Sequence, residues 1–290
     1  MAAATSTATH PHGVRLQRRL QDWELGLLVI VVCAVILFPV YWMILTSMQS
    51  TNDILAYPPH FIPRPVDLSS YSRMVSQQPI VRWLSNSALL GVLTTAVCPA
   101  LAIPGAYILS SLRWRGRSLF GFFLLVTQML PEALIIIPIY VVYRRLQITE
   151  NLPALALVDA AFVVPIGTWI LKNLFDNVPH EIREAALVDG AGLMGVLWRI
   201  MLPISAPGLV AISVVAFFYA WNEYVFAVTM VTRDAIRPAS VGLSTLISML
   251  DTPIDRVLAA GLLFSILPVI FYLLVQRYVV AGLTAGAVKG

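Results

Sequence analysis

Four stretches of this chain run for at least twenty residues without a charged side chain: Leu25 to Asn52, Trp83 to Leu112, Ile200 to Asn222 and Val257 to Gln276. A helix needs about 20 apolar residues to cross a hydrocarbon core about 30 Å thick, so each run is long enough to span a bilayer. Two more apolar runs carry single acids, Glu132 within Ser118 to Tyr143 and Asp159 within Leu152 to Leu171. In lipid the backbone must satisfy its own hydrogen bonds, which leaves helices as the solution for runs of this length. With only 12% charged residues and a mean hydropathy of +0.82, a water-facing surface would be badly under-polar. The sequence therefore predicts an all-α integral membrane protein with six transmembrane helices, at about 25–47, 84–110, 118–142, 153–173, 205–229 and 257–281.

The first span is too long for the apolar core of a signal peptide, and PVYWMILTSMQS supplies bulky and polar groups where a small-residue cleavage site would stand. Residues 1–23 begin with small side chains that bury too little to order themselves, and they read as a cytoplasmic N-terminal segment. The loop after span one, TNDILAYPPHFIPRPVDLSSYSRMV, holds four prolines and reads as a folded extracellular cover rather than a helix. Cys33 and Cys98 lie in separate apolar runs, so neither a disulfide framework nor a metal site is indicated. With the N-terminus inside, eleven Arg and Lys fall on the cytoplasmic side and eight outside, and RWRGR concentrates three in one short inner turn. Both termini are then cytoplasmic. The net charge of +4 reflects topology and contact with anionic lipid, and gives no ground for a nucleic-acid partner.

One charged segment interrupts this pattern. EIREAALVDGAGLMGVLWRIMLPISAP, from Glu181 to Pro207, sits between spans four and five. Pro179 suits the first turn of a helix, where its missing N–H costs nothing, and Glu181 and Glu184 follow near the positive end of that helix. Gly190 and Gly192 offer turn positions free of a Cβ penalty. Beyond them Leu193, Val196, Leu197, Ile200 and Met201 recur at helical spacing until Pro203 and Pro207 bend the path. Chemistry alone leaves two readings, an amphipathic hairpin that merely anchors the loop at the interface, or a surface offered to a protein partner.

The segment closely resembles the EAA loop of binding-protein-dependent ABC import permeases through Glu184, Ala185, Ala186, Asp189, Gly190, Ala191, Leu202 and Pro203. YPPHFIP with Tyr71, WLSNS, AWNEYVFA and the ending GLTAGAVKG extend the resemblance over nearly the whole chain, toward carbohydrate-type permeases similar to the smaller membrane subunit of the maltose importer. Tyr57 stands where that family often has phenylalanine. The resemblance implies a six-helix transmembrane domain over 24–281, a coupling loop at 174–204 and a cytoplasmic tail at 282–290. It also implies a bacterial or archaeal cytoplasmic membrane, a second related permease, two ATP-binding subunits and an extracytoplasmic solute-binding protein. In that picture Pro179, Glu181, Glu184, Ala185, Ala186, Asp189, Gly190, Ala191, Leu202 and Pro203 form the ATPase-coupling surface, the small alanines permit close approach, and Gly286 and Lys289 make a C-terminal ATPase contact. ATP and Mg would be bound by the partner subunits. This chain carries no G-x-x-x-x-G-K-[ST] loop, so no catalytic residue and no cofactor of its own is expected.

Polar residues at membrane depth are costly unless they face a protein interior or a watery cavity. Gln128 and Glu132 in span three, with Asn222, Glu223 and Tyr224 in span five, are therefore candidates for a translocation path. Asp159 reads as shallower and interfacial. Tyr41, Trp42, Tyr107 and Trp221 could stack on a sugar, although aromatic belts and helix packing account for most membrane aromatics. An ion-coupled carrier using Glu132 or Glu223 is the rival class, and a non-transporting scaffold ranks below it.

Overall fold

The computed structural model describes residues 11–63, 65–247 and 252–287, and side chains within 23–63, 65–247 and 252–277. Among the described residues the chain is helical, with no strand. Helix α1 (Pro11–Ser47) is followed by the short α2 (Thr51–Ile54) and α3 (Ser69–Gln77), then by α4 (Ile80–Ser111). Next come α5 (Arg117–Thr127), α6 (Glu132–Arg145), α7 (Leu152–Asp176) and α8 (His180–Val188). Helix α9 (Leu193–Ile204), α10 (Ala206–Trp221), α11 (Val225–Met230), α12 (Ala239–Ser244) and α13 (Ile254–Ala287) complete the order.

Four helical segments are long and apolar enough to cross a membrane unaided: Trp23–Ser47, Ile80–Ser111, Leu152–Asp176 and Ile254–Arg277. The count reaches six only if two bent pairs each form one span, α5 with α6 at 99° and α9 with α10 at 80°. The uninterrupted third and fifth spans expected from hydropathy are thus corrected. The third breaks at 128–131, where Pro131 cannot donate into the helical ladder and sits extended (φ −64°, ψ 131°) as the cap of α6. The fifth stops at Trp221 and restarts at Val225. Its 16 residues in α10 reach only about 24 Å at 1.5 Å per residue, short of a core about 30 Å thick, so α10 counts as a span only together with α9.

Helices α4 and α7 form the central pair, and α10 packs across both. Their contact is made of small side chains, with Ala102, Ala106, Ala156, Ala160, Ala216 and Ala220 all buried. That composition lets backbones approach closely where lipid offers no hydrophobic drive to association. A second close approach needs a glycine, because a Cβ on Gly242 of α12 would lie 2.2 Å from the Trp83 ring of α4. Outside this core α1 stands apart, touching mainly α13 and exposing its apolar side chains from Leu25 to Phe38.

Two expectations at the edges of the chain are revised. Helix α1 begins at Pro11, so the segment before the first span continues that helix instead of remaining irregular; residues 1–10 lie outside the described range. The proline-rich cover contains two short helices after all. Ser70 and Arg73 of α3 donate to the buried Asp255 carboxylate at 2.6 and 3.0 Å, and Ser47 and Tyr71 hydroxyls meet at 2.7 Å. The cover is thereby tied to the first turn of α13 and the end of α1.

Candidate coupling surface and transport path

Helix α8 projects from the end of α7 and closes as a Schellman turn. The Ala191 N–H donates to the Ala186 carbonyl at 2.9 Å and the Gly190 N–H to the Leu187 carbonyl at 3.1 Å. This geometry puts Gly190 at φ +84°, a region an L side chain enters only at a cost. Gly192 does not share that role. It caps α9 at φ −67°, ψ 167°, extended backbone open to any residue, which corrects its assignment as a turn glycine. Pro179 immediately precedes the helix as its cap, and the Arg183 guanidinium and His180 Nδ1 pair at 2.7 Å within the first turn. The helical repeat predicted for α9 is present but widens into a π segment at Leu197–Met201. The chain then turns by 80° at Ser205, between Pro203 and Pro207.

The coupling residues divide into two sets. Pro179, Glu181, Glu184, Ala185, Asp189, Gly190 and Pro203 are exposed. Ala186 and Leu202 are buried, and Ala191 packs half-buried beside them, in a cluster with Tyr107, Phe175, Val196 and Leu197. The reading of Ala186 and Leu202 as partner-facing is therefore corrected. Ala186 is small because α8 seats against its own membrane domain, whereas Ala185 is exposed on another side of the helix. Beside Ala185 the exposed rim is apolar as well as acidic, with Ile182, Leu187 and the almost fully exposed Val188 at 87%.

The two breaks in the spans meet inside the membrane domain. A cavity of about 560 Å³ is lined by Glu132, Tyr219, Asn222, Glu223 and Tyr224 among apolar residues. A smaller one of about 140 Å³ is lined by Gln128, Glu132, Phe162 and Tyr219, so Glu132 and Tyr219 belong to both. The Tyr219 hydroxyl donates to Glu132 Oε1 at 2.5 Å, and Gln128 Nε2 donates to the Phe162 carbonyl at 2.9 Å across the first break. Glu223 accepts the Phe226 and Ala227 N–H groups at 2.6 and 3.1 Å, capping the restart at α11. All five path candidates thus gather at the interrupted helices, the place where irregular backbone is tolerated in a membrane because it lines a cavity.

Asp159 was misjudged as interfacial. It is fully buried and lies against Glu223 and near Glu132. An acid interrupting an apolar run was the available signal. Tyr219 was missed because an aromatic in a hydrophobic run carries no signal of its own. Tyr107 and Trp221 are buried in helix contacts, Tyr107 edge-on to Phe175 and Trp221 stacked on Phe217, which removes them as sugar platforms; Tyr41 and Trp42 engage Phe61 of the cover. Glu150 was also missed. At φ +61° it accepts the Thr232 and Arg233 N–H groups at 2.8 and 3.3 Å, joining the α6–α7 loop to the loop after α11. Partial burial pushes its pKa up, but these hydrogen bonds and that of the Thr232 hydroxyl outweigh it and hold the carboxyl below its ordinary range. Gly286 lies in the last turn of α13, and Lys289 falls outside the described residues. Among the described residues no group of three or more His, Cys, Asp or Glu is disposed to hold a metal ion.

A helical domain with interrupted spans and a projecting charged hairpin defines the membrane-embedded component of a transporter. Residues 102–284 match the model of the family described as "Binding-protein-dependent transport system inner membrane component", and the chain belongs to that family. It is accordingly a non-catalytic, multi-pass inner-membrane permease subunit of an ABC importer, and the ion-coupled carrier reading of Glu132 and Glu223 is set aside. The inner membrane ABC transporter permease protein YcjP of Escherichia coli is 32% identical over 88% of this chain and 91% of its own length. The trehalose/maltose transport system permease protein MalG of Thermococcus litoralis is 32% identical over 91% of this chain and 95% of its own. Among solved structures, a chain of a bacterial ABC transporter that imports the acidic polysaccharide alginate superposes with a TM-score of 0.73 at 24% identity, covering 94% of this chain and 99% of that one. At that identity the likeness concerns the fold.

Proposed function

We propose that this permease subunit forms half of the translocation path of a carbohydrate importer, with both termini in the cytoplasm, beside a second related permease, two ATP-binding subunits and an extracytoplasmic binding protein. Relatives named for trehalose and maltose and for diacetylchitobiose in Streptomyces coelicolor support the substrate class, as does an alginate importer whose structure includes a pentasaccharide-bound periplasmic protein. The domain divides as 1–23, 24–281 with the coupling loop at 174–204, and 282–290. The observation that carries the coupling assignment is the hairpin itself. Its turn is fixed at Gly190, its inner side is seated through Ala186, and Glu181, Glu184, Ala185, Leu187 and Val188 remain uncovered.

In this reading the ATP-binding subunit receives α8 in a surface cleft, and closure of the two ATPases around nucleotide moves the hairpin as a rigid lever. Rigidity comes from the Schellman turn and from the packing of Ala186, Val196, Leu197 and Leu202 on the ends of α4 and α7. Displacement then reaches the 80° bend at Ser205 and α10, whose far end carries Tyr219 and the break at Asn222–Tyr224. Gln128, Glu132, Asn222, Glu223 and Tyr224 are path residues, with Tyr219 added to them. Two carboxylates, two amides and two phenols suit the hydroxyls of a sugar, which need acceptors as well as donors. Gly286 and Lys289 are retained as a C-terminal ATPase contact. Co-purification of the ATPase from native membranes, together with uptake in sealed vesicles, tests the proposal. Transport-active protein without an ATPase, or a binding protein whose tight ligand is an amino acid, would overturn it.

A further inference from the structure

We infer that the hairpin-side edge of the membrane domain carries a binding site for the phosphate headgroup of an anionic phospholipid, between the α4–α5 turn and the end of α7. A cavity of about 630 Å³ opens there, lined by Trp114, Gly116, Arg117, Ser118, Leu119, Gly121, Trp169 and Lys172. It shares no lining residue with the path cavities and contains none of the proposed coupling residues. Arg117 and Lys172 supply positive charge, and Arg113 and Arg115 are exposed in the adjoining turn. Lys172 also pairs with Asp176 at 2.5 Å, and the Ser110 hydroxyl donates to that same carboxylate at 2.7 Å. One acid therefore offsets part of the charge, and four cations against it leave the edge positive.

Three features make this more than a basic turn. The Trp169 indole N–H is buried without an acceptor, although its ring lines the cavity. An unpaired buried donor is costly, and a small rotation of the ring toward the cavity would let a phosphate oxygen accept from it. Helix α5 begins at the cavity with no side-chain cap and no acid in its first turn, so its free N–H groups and positive dipole end add to the preference for an anion. The third feature selects a lipid over a soluble phosphate. From the cavity α5 presents Leu119, Phe120, Phe122 and Phe123 outward, each at least 40% exposed, a continuous apolar flank on which acyl chains can lie while Trp114 and Trp169 sit at headgroup level.

The test uses the full chain assembled with its transporter partners in nanodiscs of phosphatidylcholine, with and without phosphatidylglycerol. Phospholipid retained after detergent exchange is measured by mass spectrometry, and thermal stability is followed in parallel. The wild type should retain phosphatidylglycerol preferentially. The double variant R117Q/K172Q should bind it about thirtyfold more weakly, taking about 1 kcal/mol per cationic side chain. Trp169→Phe, which keeps the ring and loses only the donor, should weaken retention about fivefold. Arg117→Lys should preserve most of it and serves as the folding control, and Arg199→Gln, which removes an exposed charge outside the cavity, should leave it unchanged. Equal retention of the two lipids would overturn the inference. So would a loss in Arg199→Gln as large as in the double variant, which would reduce the effect to general surface charge. A thermal shift reproduced by inorganic phosphate alone would assign the cavity to a soluble anion instead of a lipid.

Discussion

Replacing Gly190 isolates backbone conformation from contact, because the structure separates the two. At φ +84° the residue occupies the left-handed region, yet a Cβ added there meets nothing within 4 Å. Steric overlap is therefore no part of the effect. An L residue held in this region costs about 1–2 kcal/mol, more if β-branched and less for asparagine, whose side chain tolerates it. About 1.4 kcal/mol is a factor of ten, so Gly190→Ala should lower the population of the native hairpin angle by roughly five- to thirtyfold. Gly190→Asn should fall between alanine and wild type, and Gly190→Val should be the most severe. The chain has an alternative to paying this strain in place: α8 can swing away, giving up the seat of Ala186 and the two turn hydrogen bonds.

The assay is the amount of ATPase retained on the permease at matched membrane abundance, with ATP-driven uptake measured on the same preparations. The expected order is glycine, asparagine, alanine, valine. Alanine and glycine behaving alike would mean that the turn is not held left-handed in the working complex. Asparagine and alanine failing equally would mean that the flexibility of glycine, and not its handedness, is what matters. Either result would refute the lever argument.

Glu184→Lys should release the ATPase while leaving membrane abundance normal, since the side chain is exposed, whereas Ala186→Leu should lower abundance and thermal stability by overpacking the domain's own core at about 1–3 kcal/mol; parallel measurement of both variants distinguishes the two faces of α8. Tyr219→Phe removes the donor to Glu132, and Glu132→Gln removes the charge but keeps an acceptor. Both should depress uptake with ATPase attachment intact, and unchanged uptake in both would remove this pair from the path. The Glu150 tie to Thr232 and Arg233 is pH-dependent with a definite sign. Because the folded-state pKa is lowered, the stabilisation is complete above the ordinary carboxylate range and is lost as pH falls through the depressed value. The protection factors of the Thr232 and Arg233 amides, that is their exchange relative to the intrinsic rate at each pH, should fall on acidification, while Glu150→Gln should show weak protection at every pH.

The spans and the hairpin were legible because each rests on local chemistry that the sequence displays directly: uncharged length for α1, α4 and α13, apolar length broken only by Asp159 for α7, and a proline, two acids and a left-handed glycine for α8. Hydropathy cannot register a change of direction. Between Arg117 and Arg144 the run is apolar apart from Glu132 and a few uncharged polar residues, and the 99° turn within it leaves no mark in hydropathy. Pro99, Pro104, Pro165 and Pro268 lie inside helices that continue past them, so proline alone did not mark the break. The same reason explains Asp159. Its place in the sequence suggested an interfacial acid, whereas the packing around α7 buries it with Glu132 and Glu223 nearby. Ala185 and Ala186 make the point at the smallest scale. Adjacent residues of one motif point about 100° apart on a helix, so one can serve the partner only while the other serves the fold, and which does which is set by the angle at which α8 leaves α7. The packing of Ala186 in the cluster with Tyr107 and Phe175 accounts for one small residue of the motif, and the proposed ATPase contact would account for the other.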